Sequence, residues 1–183
     1  MISSRRISTV FVVLATSLVT APVLAHDKST FATALSGYEE TPSTLNSPGS
    51  GSFVAKISKD ESSISYTLTY SKLPTNVLQA HIHFGRPGLS GGVALFLCTN
   101  LTPPAGVPTP PPCPLTAGTV TGTLTAADVI ALPNQGIEAG TAGFAEMISA
   151  LRNGAAYANV HTTQRPGGEI RGPLGKADDD DDD

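Results

Sequence analysis

Two of the four histidines in this chain are separated by a single residue. The segment Ala80-His81-Ile82-His83 lies in a pattern typical of a strand, where successive side chains point to opposite faces. Both imidazoles are therefore expected on one face, with Ile82 on the other face toward the core. Neutral imidazole is a ligand for copper, zinc, iron and nickel. The pair predicts two metal ligands, and the alternative is a pair of structural histidines that bond to backbone and loops.

A third histidine occurs in a second segment with the same alternation. In residues 157–162 (YANVHT), Tyr157, Asn159 and His161 share one face. If this strand is a neighbour of the first, His161 joins His81 and His83 in a three-histidine site. Copper is the favoured metal for such a site, and zinc is the second choice.

The fourth histidine, His26, follows a segment with the pattern of a secretory signal peptide. Residues 1–25 contain Arg5 and Arg6, then an apolar stretch, then Val23-Leu24-Ala25, with small residues at the −3 and −1 positions of the cleavage site. The apolar stretch is shorter than the roughly 20 residues that a transmembrane helix needs. Cleavage after Ala25 would make His26 the N-terminus, where its amine and ring could chelate a metal. This arrangement resembles the histidine brace of copper oxygenases, and the alternative is a frayed terminus.

Charged and polar residues close to these segments are candidates for supporting roles. Glu169 and Arg171 share a face in GGEIRG, Arg86 follows His83 in HFGRPG, and Asn159 lies between Tyr157 and His161. Each is a candidate to orient a histidine or to serve the structure alone. For GGEIRG, the favoured interpretation is a buried Glu169–Arg ion pair that holds the turn.

The elements that must position these residues are predominantly strands. Lys59-Asp60-Glu61 separates two strands and marks a hairpin. Thr141 to Arg152 has the apolar spacing of a helix, with Thr141 as its N-cap and Asn153-Gly154 as its end, and a helical turn is expected from Thr125. We predict an all-β fold, an antiparallel β-sandwich or open barrel of Greek-key type with one or two short helical insertions. The predicted strands, rich in β-branched and aromatic residues, are 31–36, 51–58, 62–70, 77–84, 92–97, 118–124, 155–162 and 168–172.

The two cysteines, Cys98 and Cys113, enclose a proline-rich segment. Export would place them in an oxidising compartment, where a disulfide is expected. Closing this loop would stabilise the fold by about 3 kcal/mol. A reactive thiol pair is the alternative, although the CxxC spacing is missing.

The composition restricts both the domain organisation and the partners. The 183 residues suit one domain, and 11 basic against 15 acidic side chains leave no positive surplus for nucleic acid. Arg5 and Arg6 lie in the predicted signal and six aspartates occupy 178–183, which leaves nine side chains of each sign in the body. We therefore predict a signal (1–25), a β domain (26–175) of nearly zero net charge with its disulfide loop (98–113), and a disordered acidic tail (176–183).

Several motifs together resemble a known extracellular family, the CHRD (chordin-type) domain, in its secreted microbial single-domain form. They are LSGYEETP, GSGSFVAKIS, QAHIHFGRPGLSGGVALFL and YANVHTTQRPGGEIRGPL, which span about residues 31–174. The resemblance implies a secreted or periplasmic β domain without implying a settled activity. A weaker similarity is to copper/zinc superoxide dismutase, where a strand also carries His-x-His before Phe-Gly. The His- and Asp-rich zinc loop of that family is missing here.

Three functions follow from these observations. The leading hypothesis is a non-enzymatic secreted domain that binds a metal ion, copper favoured, through His81, His83 and His161. The first alternative is a copper-dependent superoxide dismutase-like enzyme or other oxidoreductase that uses an open coordination position. The second is a structural or adhesive module without metal, with an extracellular protein or surface polymer as partner. No transmembrane segment is expected in the mature chain.

Overall fold

The fold is a single antiparallel sheet that curls into a nearly closed barrel. The computed structural model describes residues 29–103 and 105–175. Eight strands are hydrogen-bonded in the order β5-β4-β7-β8-β1-β2-β3-β6. They are β1 (Thr30–Ser36), β2 (Ser50–Ile57), β3 (Ile64–Ser71), β4 (Val77–Phe84), β5 (Gly92–Thr99), β6 (Gly118–Leu124), β7 (Ala156–Thr162) and β8 (Ile170–Pro173). Each strand predicted from the sequence is present, with ends that agree within two residues.

The two outermost strands of the sheet, β5 and β6, approach each other and bring the barrel close to closure. The Tyr66 hydroxyl of β3 donates a hydrogen bond to the Leu97 carbonyl of β5 across this seam. The disulfide between Cys98 and Cys113 is formed and links the end of β5 to the segment that leads into β6. The predicted disulfide is thus confirmed, and the all-β antiparallel fold with it.

The alternation seen in the sequence fills the barrel with apolar side chains. In β3, Ile64, Tyr66, Leu68 and Tyr70 are buried and their neighbours point outward. The predicted hairpin between β2 and β3 is confirmed by the pairing of Ile57 with Ile64. In β4, the side chains of Ala80 and Ile82 are fully buried in this core. The histidines of that strand therefore lie on its other face.

One helix, α1 (Gly140–Arg152), packs its apolar face against the barrel core, with Phe144, Met147, Ile148 and Leu151 buried. The helix ends at Arg152 with Asn153 as its C-cap, and Gly154 follows with a positive φ of 64°, as the sequence predicts.

The start of α1 differs from the prediction. Thr141 is not the N-cap, because the helix begins one residue earlier and Ala139 occupies the cap without a side-chain acceptor. The Glu146 carboxylate instead accepts a hydrogen bond from the Glu138 backbone amide near this end. The turn expected from Thr125 is present as a 3₁₀ turn, Ala126–Asp128, which Thr125 caps. None of the helices in the described ranges is long and apolar enough to cross a membrane.

Candidate metal centre

The pairing of β4 with β7 brings the two histidine segments together. In this antiparallel ladder, His81 is opposite Asn159 and His83 is opposite Tyr157, while His161 is opposite Gln79. Since residues two apart share a face, His81 and His161 are diagonal neighbours on the outer face of the sheet. The sequence predicts which face each histidine takes, and the strand order makes them one cluster.

The three histidines form a compact and buried group. One nitrogen from each ring lies within 4.8 Å of the corresponding nitrogens of the other two. The ring centroids of His81 and His161 are 4.9 Å apart, and those of His81 and His83 are 5.4 Å apart. Three nitrogens around one metal at bonds of about 2.0–2.1 Å would be separated by about 3.5 Å. Small side-chain rotations are therefore sufficient to close the set around an ion.

Backbone carbonyls orient two of the three rings. The Nδ1 atom of His83 is 3.0 Å from the Gly91 carbonyl oxygen, and the Nδ1 atom of His161 is 3.0 Å from the Pro166 carbonyl oxygen. A carbonyl only accepts, so each Nδ1 must carry the proton and donate it. In a neutral ring, Nε2 then carries the lone pair, which is the arrangement that metal-binding histidines use.

The remaining ring nitrogens of the cluster have no hydrogen-bond partner among the residues that the structure describes. They are Nδ1 and Nε2 of His81, Nε2 of His83 and Nε2 of His161. Buried polar atoms are nearly always paired, because an unpaired one costs about 1–3 kcal/mol. Three converging lone pairs without a partner fit a metal ion, which would satisfy all three rings at once.

Burial keeps the three imidazoles in their neutral form. Loss of solvation lowers the pKa of His81 to about 2, and the neighbouring His161 and His83 lower it further. Loss of solvation also lowers the pKa of His83 to about 4, against the opposing effect of its bond to Gly91. The pKa of His161 is lowered for the same main reason. Neutral imidazole is the form that binds metal, so the cluster is ready for an ion at neutral pH.

Arg171 supports the His83 side of the cluster through the loop between β4 and β5. Its guanidinium lies 3.4 Å from the centre of the Tyr157 ring, and that ring stacks on His83 with centroids 4.6 Å apart. Arg171 also donates hydrogen bonds to the Leu89 and Arg86 carbonyls of the loop. The loop carries Gly91, whose carbonyl fixes His83. Arg86 thus contributes its backbone, while its side chain is exposed.

Glu169 supports the His161 side through the turn between β7 and β8. Its carboxylate accepts hydrogen bonds from the hydroxyls of Ser47 and Thr162. The Thr162 hydroxyl in turn accepts from the Arg165 amide, which fixes the turn that carries Pro166. The expected Glu169–Arg ion pair is not formed within the described residues, because hydroxyl groups reach the carboxylate from two sides and Arg171 points to the opposite loop.

The span of the CHRD domain family model coincides with this architecture. The model matches residues 31–174, from β1 to the end of β8. The chain belongs to the CHRD domain family. All three clustered histidines and both supporting loops lie inside the matched span. No curated protein and no solved structure matches the chain significantly.

Asn159 of this CHRD domain does not orient a histidine. Its side-chain amide donates to the Glu40 carboxylate at 2.6 Å and to the Ile170 carbonyl at 2.9 Å. Burial raises the pKa of Glu40 to about 7, although Asn159 and Arg171 act against the rise. Gly168 leaves room for this carboxyl group, since a Cβ there would lie 2.5 Å from its Oε2 atom. The pair ties the end of the 3₁₀ turn Gly37–Glu39, which follows β1, to the outer face of β7.

Several contributors to the centre of the CHRD domain were not predicted. The carbonyls of Gly91 and Pro166 are backbone groups, so side-chain types give no signal for them. Phe96 of β5 places its ring edge-on to His81 with centroids 4.3 Å apart, and its position opposite His81 depends on the pairing of β4 with β5. The alternation of side chains in β5 indicates which face Phe96 takes. It places Phe96 opposite His81 only when the register of β5 with β4 is known. His26 lies outside the described residues.

Proposed function

We propose that this CHRD domain is a secreted protein that binds one copper ion through His81, His83 and His161 and does not turn over a substrate. The observation that carries the proposal is a buried cluster in which each of three rings has a nitrogen without a partner in the described residues. Two of the rings are already fixed by carbonyls in the tautomer that a metal needs. A purely structural role gives no reason for leaving these atoms unpaired.

Binding stoichiometry tests this proposal directly. The mature protein, freed of metal by a chelator and dialysed, is expected to take up one copper per chain. His83→Ala and His161→Ala are each expected to reduce the affinity at least 100-fold, because two ligands remain. Thr67→Ala, an exposed strand position in β3, serves as the control and is expected to bind as the wild type does.

Folding of the variants must be measured in the same samples. Far-ultraviolet circular dichroism and thermal melting without metal distinguish a lost ligand from a lost fold, and His83→Gln keeps a polar side chain of similar size. Unchanged copper uptake in folded histidine variants would overturn the proposal and favour a structural module. Superoxide or oxygen consumption by the copper-loaded protein would favour the oxidoreductase instead.

Export is the second part of the proposal. The Cys98–Cys113 disulfide fits an oxidising compartment, and residues 1–25 have the pattern of a signal. Mass spectrometry of the protein recovered outside the cytoplasm is expected to give an N-terminus at His26. An intact Met1 in the recovered protein would contradict this processing. His26→Ala then tests whether the terminus adds a ligand to the copper site.

A further inference from the structure

The charge of the donor set limits which ion the centre can hold. Three neutral imidazoles contribute no negative charge, so a bound metal keeps its full charge inside the protein. The ligand side chains are only 1% (His81), 7% (His83) and 6% (His161) exposed. The free energy lost when an ion is transferred from water into the protein interior grows with the square of its charge. This desolvation cost is therefore about four times larger for a divalent ion than for a monovalent one.

The buried carboxyl groups of the described residues do not offset this difference by a direct bond to the ligands. The cation Arg171 is stacked on Tyr157, which itself stacks on His83, and its charge acts on His83. The two buried carboxyl groups, Glu40 and Glu169, bond to an amide and to hydroxyls respectively. No hydrogen bond joins either of them to the three histidines in the described part of the chain.

The number of ligand atoms in the cluster also favours a monovalent ion. Within the described residues, the cluster offers three ligand atoms. Zinc(II) prefers four ligands in a tetrahedron, and copper(II) prefers a tetragonal arrangement. The ring of Phe96, which has no donor atom, lies edge-on to His81 with centroids 4.3 Å apart. Copper(I), which has a filled d shell, is stable with three ligands.

We propose that the three-histidine centre selects copper as Cu(I) over Cu(II) and Zn(II), so that the bound copper resists oxidation. This rests on the proposed copper-binding function and specifies the ion for that site. It also implies that the oxidised ion, once formed, is held more weakly and is released more readily than the reduced ion.

Competition titrations of the full mature protein test this selectivity. Cu(I) is titrated without oxygen against a colorimetric Cu(I) chelator, and Cu(II) and Zn(II) are titrated separately against chelators of known affinity. We expect Cu(I) to bind at least 100-fold more tightly than Cu(II). The Cu(II)/Cu(I) potential of the bound ion would then lie at least about 118 mV above that of aqueous copper, at 59 mV per tenfold for one electron.

The possible outcomes separate the two proposals. Equal or tighter binding of Cu(II) or Zn(II) than of Cu(I) overturns the selectivity, while the copper- or metal-binding role remains. Failure to bind any of the three ions overturns both.

A matched pair of variants at Phe96 tests the physical cause. Phe96→Asp places a negative charge and an oxygen, as a fourth donor, beside His81, whereas Phe96→Asn has nearly the same shape without the charge. Relative to Phe96→Asn, Phe96→Asp is expected to improve the affinity for Cu(II) over Cu(I) at least tenfold. Equal selectivity in the two variants, with both folded by circular dichroism, would overturn the charge argument.

Discussion

The chemistry of this centre depends on backbone atoms as much as on the histidines. A histidine side chain can present either nitrogen, and the choice is made by whatever binds the other one. Here the Gly91 and Pro166 carbonyls make that choice for His83 and His161. His81 has no such partner in the described part of the chain, and its ring packs against those of His161 and Phe96. The two carbonyls therefore determine how well the site is prepared for an ion.

Gly91→Ala is predicted to weaken metal binding without changing any ligand. A Cβ at this position would lie 1.8 Å from the Phe84 carbonyl oxygen, so the backbone must shift and take its own carbonyl away from His83. Loss of an orienting partner typically costs 10- to 100-fold in metal affinity. Copper titration of the folded variant is the measurement.

Gly167→Ala is the matched control for that change. Gly167 also lies in a loop beside the cluster, but an added Cβ meets no atom within 4 Å. The control is expected to bind copper as the wild type does. Equal affinities in the two glycine variants would show that the Gly91 carbonyl does not orient His83.

At the scale of elements, the sequence predicts where the strands lie but not which strands pair with each other. Alternation in residues 80–83 and 157–161 predicts the faces of all three histidines. Their meeting depends on the pairing of β4 with β7, strands separated by more than 70 residues, and alternation carries no information about long-range partners. The resemblance to the CHRD domain indicated the family without giving this pairing.

The errors at this scale have a common cause. Both the Thr141 cap and the Glu169–Arg ion pair were inferred from neighbours in the sequence. In the structure, Glu169 meets the hydroxyl of Ser47, which is 122 residues away in the chain. Local spacing can suggest that a carboxylate has a partner, but tertiary packing decides which group reaches it first.

Glu169→Gln is predicted to loosen the turn between β7 and β8. The neutral amide keeps the shape but loses the charged acceptor for the Ser47 and Thr162 hydroxyls. Hydrogen bonds to charged groups contribute about 1.5–3 kcal/mol, so the free energy of unfolding should fall by about that amount. Copper affinity should also fall, because the turn carries the Pro166 carbonyl.

Denaturant unfolding and copper titration check this prediction together, with Glu39→Gln as the control at an exposed carboxylate. A stability loss with unchanged copper affinity would mean that the turn holds the fold but does not orient His161.

At the scale of the whole molecule, the disulfide joins the seam of the barrel to its proline-rich loop. Cys98 and Cys113 are separated by 15 residues, and closing a loop of that length stabilises the folded state by about 3 kcal/mol through the entropy of the unfolded chain. The double variant Cys98→Ala/Cys113→Ala should lose about that much free energy of unfolding, measured by urea denaturation. The wild type with its disulfide reduced should match the variant, and a much smaller loss in both would contradict the entropic account.

The stability of the metal-free protein is predicted to fall on acidification from pH 7 to pH 4.5. The folded-state pKa values of the three histidines lie below the ordinary value of 6.5. As the pH falls below 6.5, the histidines of the unfolded chain therefore bind protons while those of the folded chain stay neutral. Their contribution is present above pH 6.5 and is lost as the pH falls toward the folded pKa values, about 4 for His83. Each such proton changes the free energy of unfolding by about 1.4 kcal/mol per pH unit.

Protonation of Glu40 has the opposite effect on stability, so a variant at this position isolates the loss that the histidines cause. Its folded pKa is raised from 4.5 to about 7, so its contribution is present below pH 4.5 and is lost as the pH rises through 7. Three histidines against one carboxyl group leave a net loss of stability on acidification.

In Glu40→Gln, which keeps an oxygen acceptor for Asn159, the opposing contribution is gone, and the loss between pH 7 and pH 4.5 should be steeper than in the wild type. Urea denaturation at half-unit pH steps measures both slopes, and a wild-type stability that rises on acidification would show that the buried histidines take up protons in the folded state.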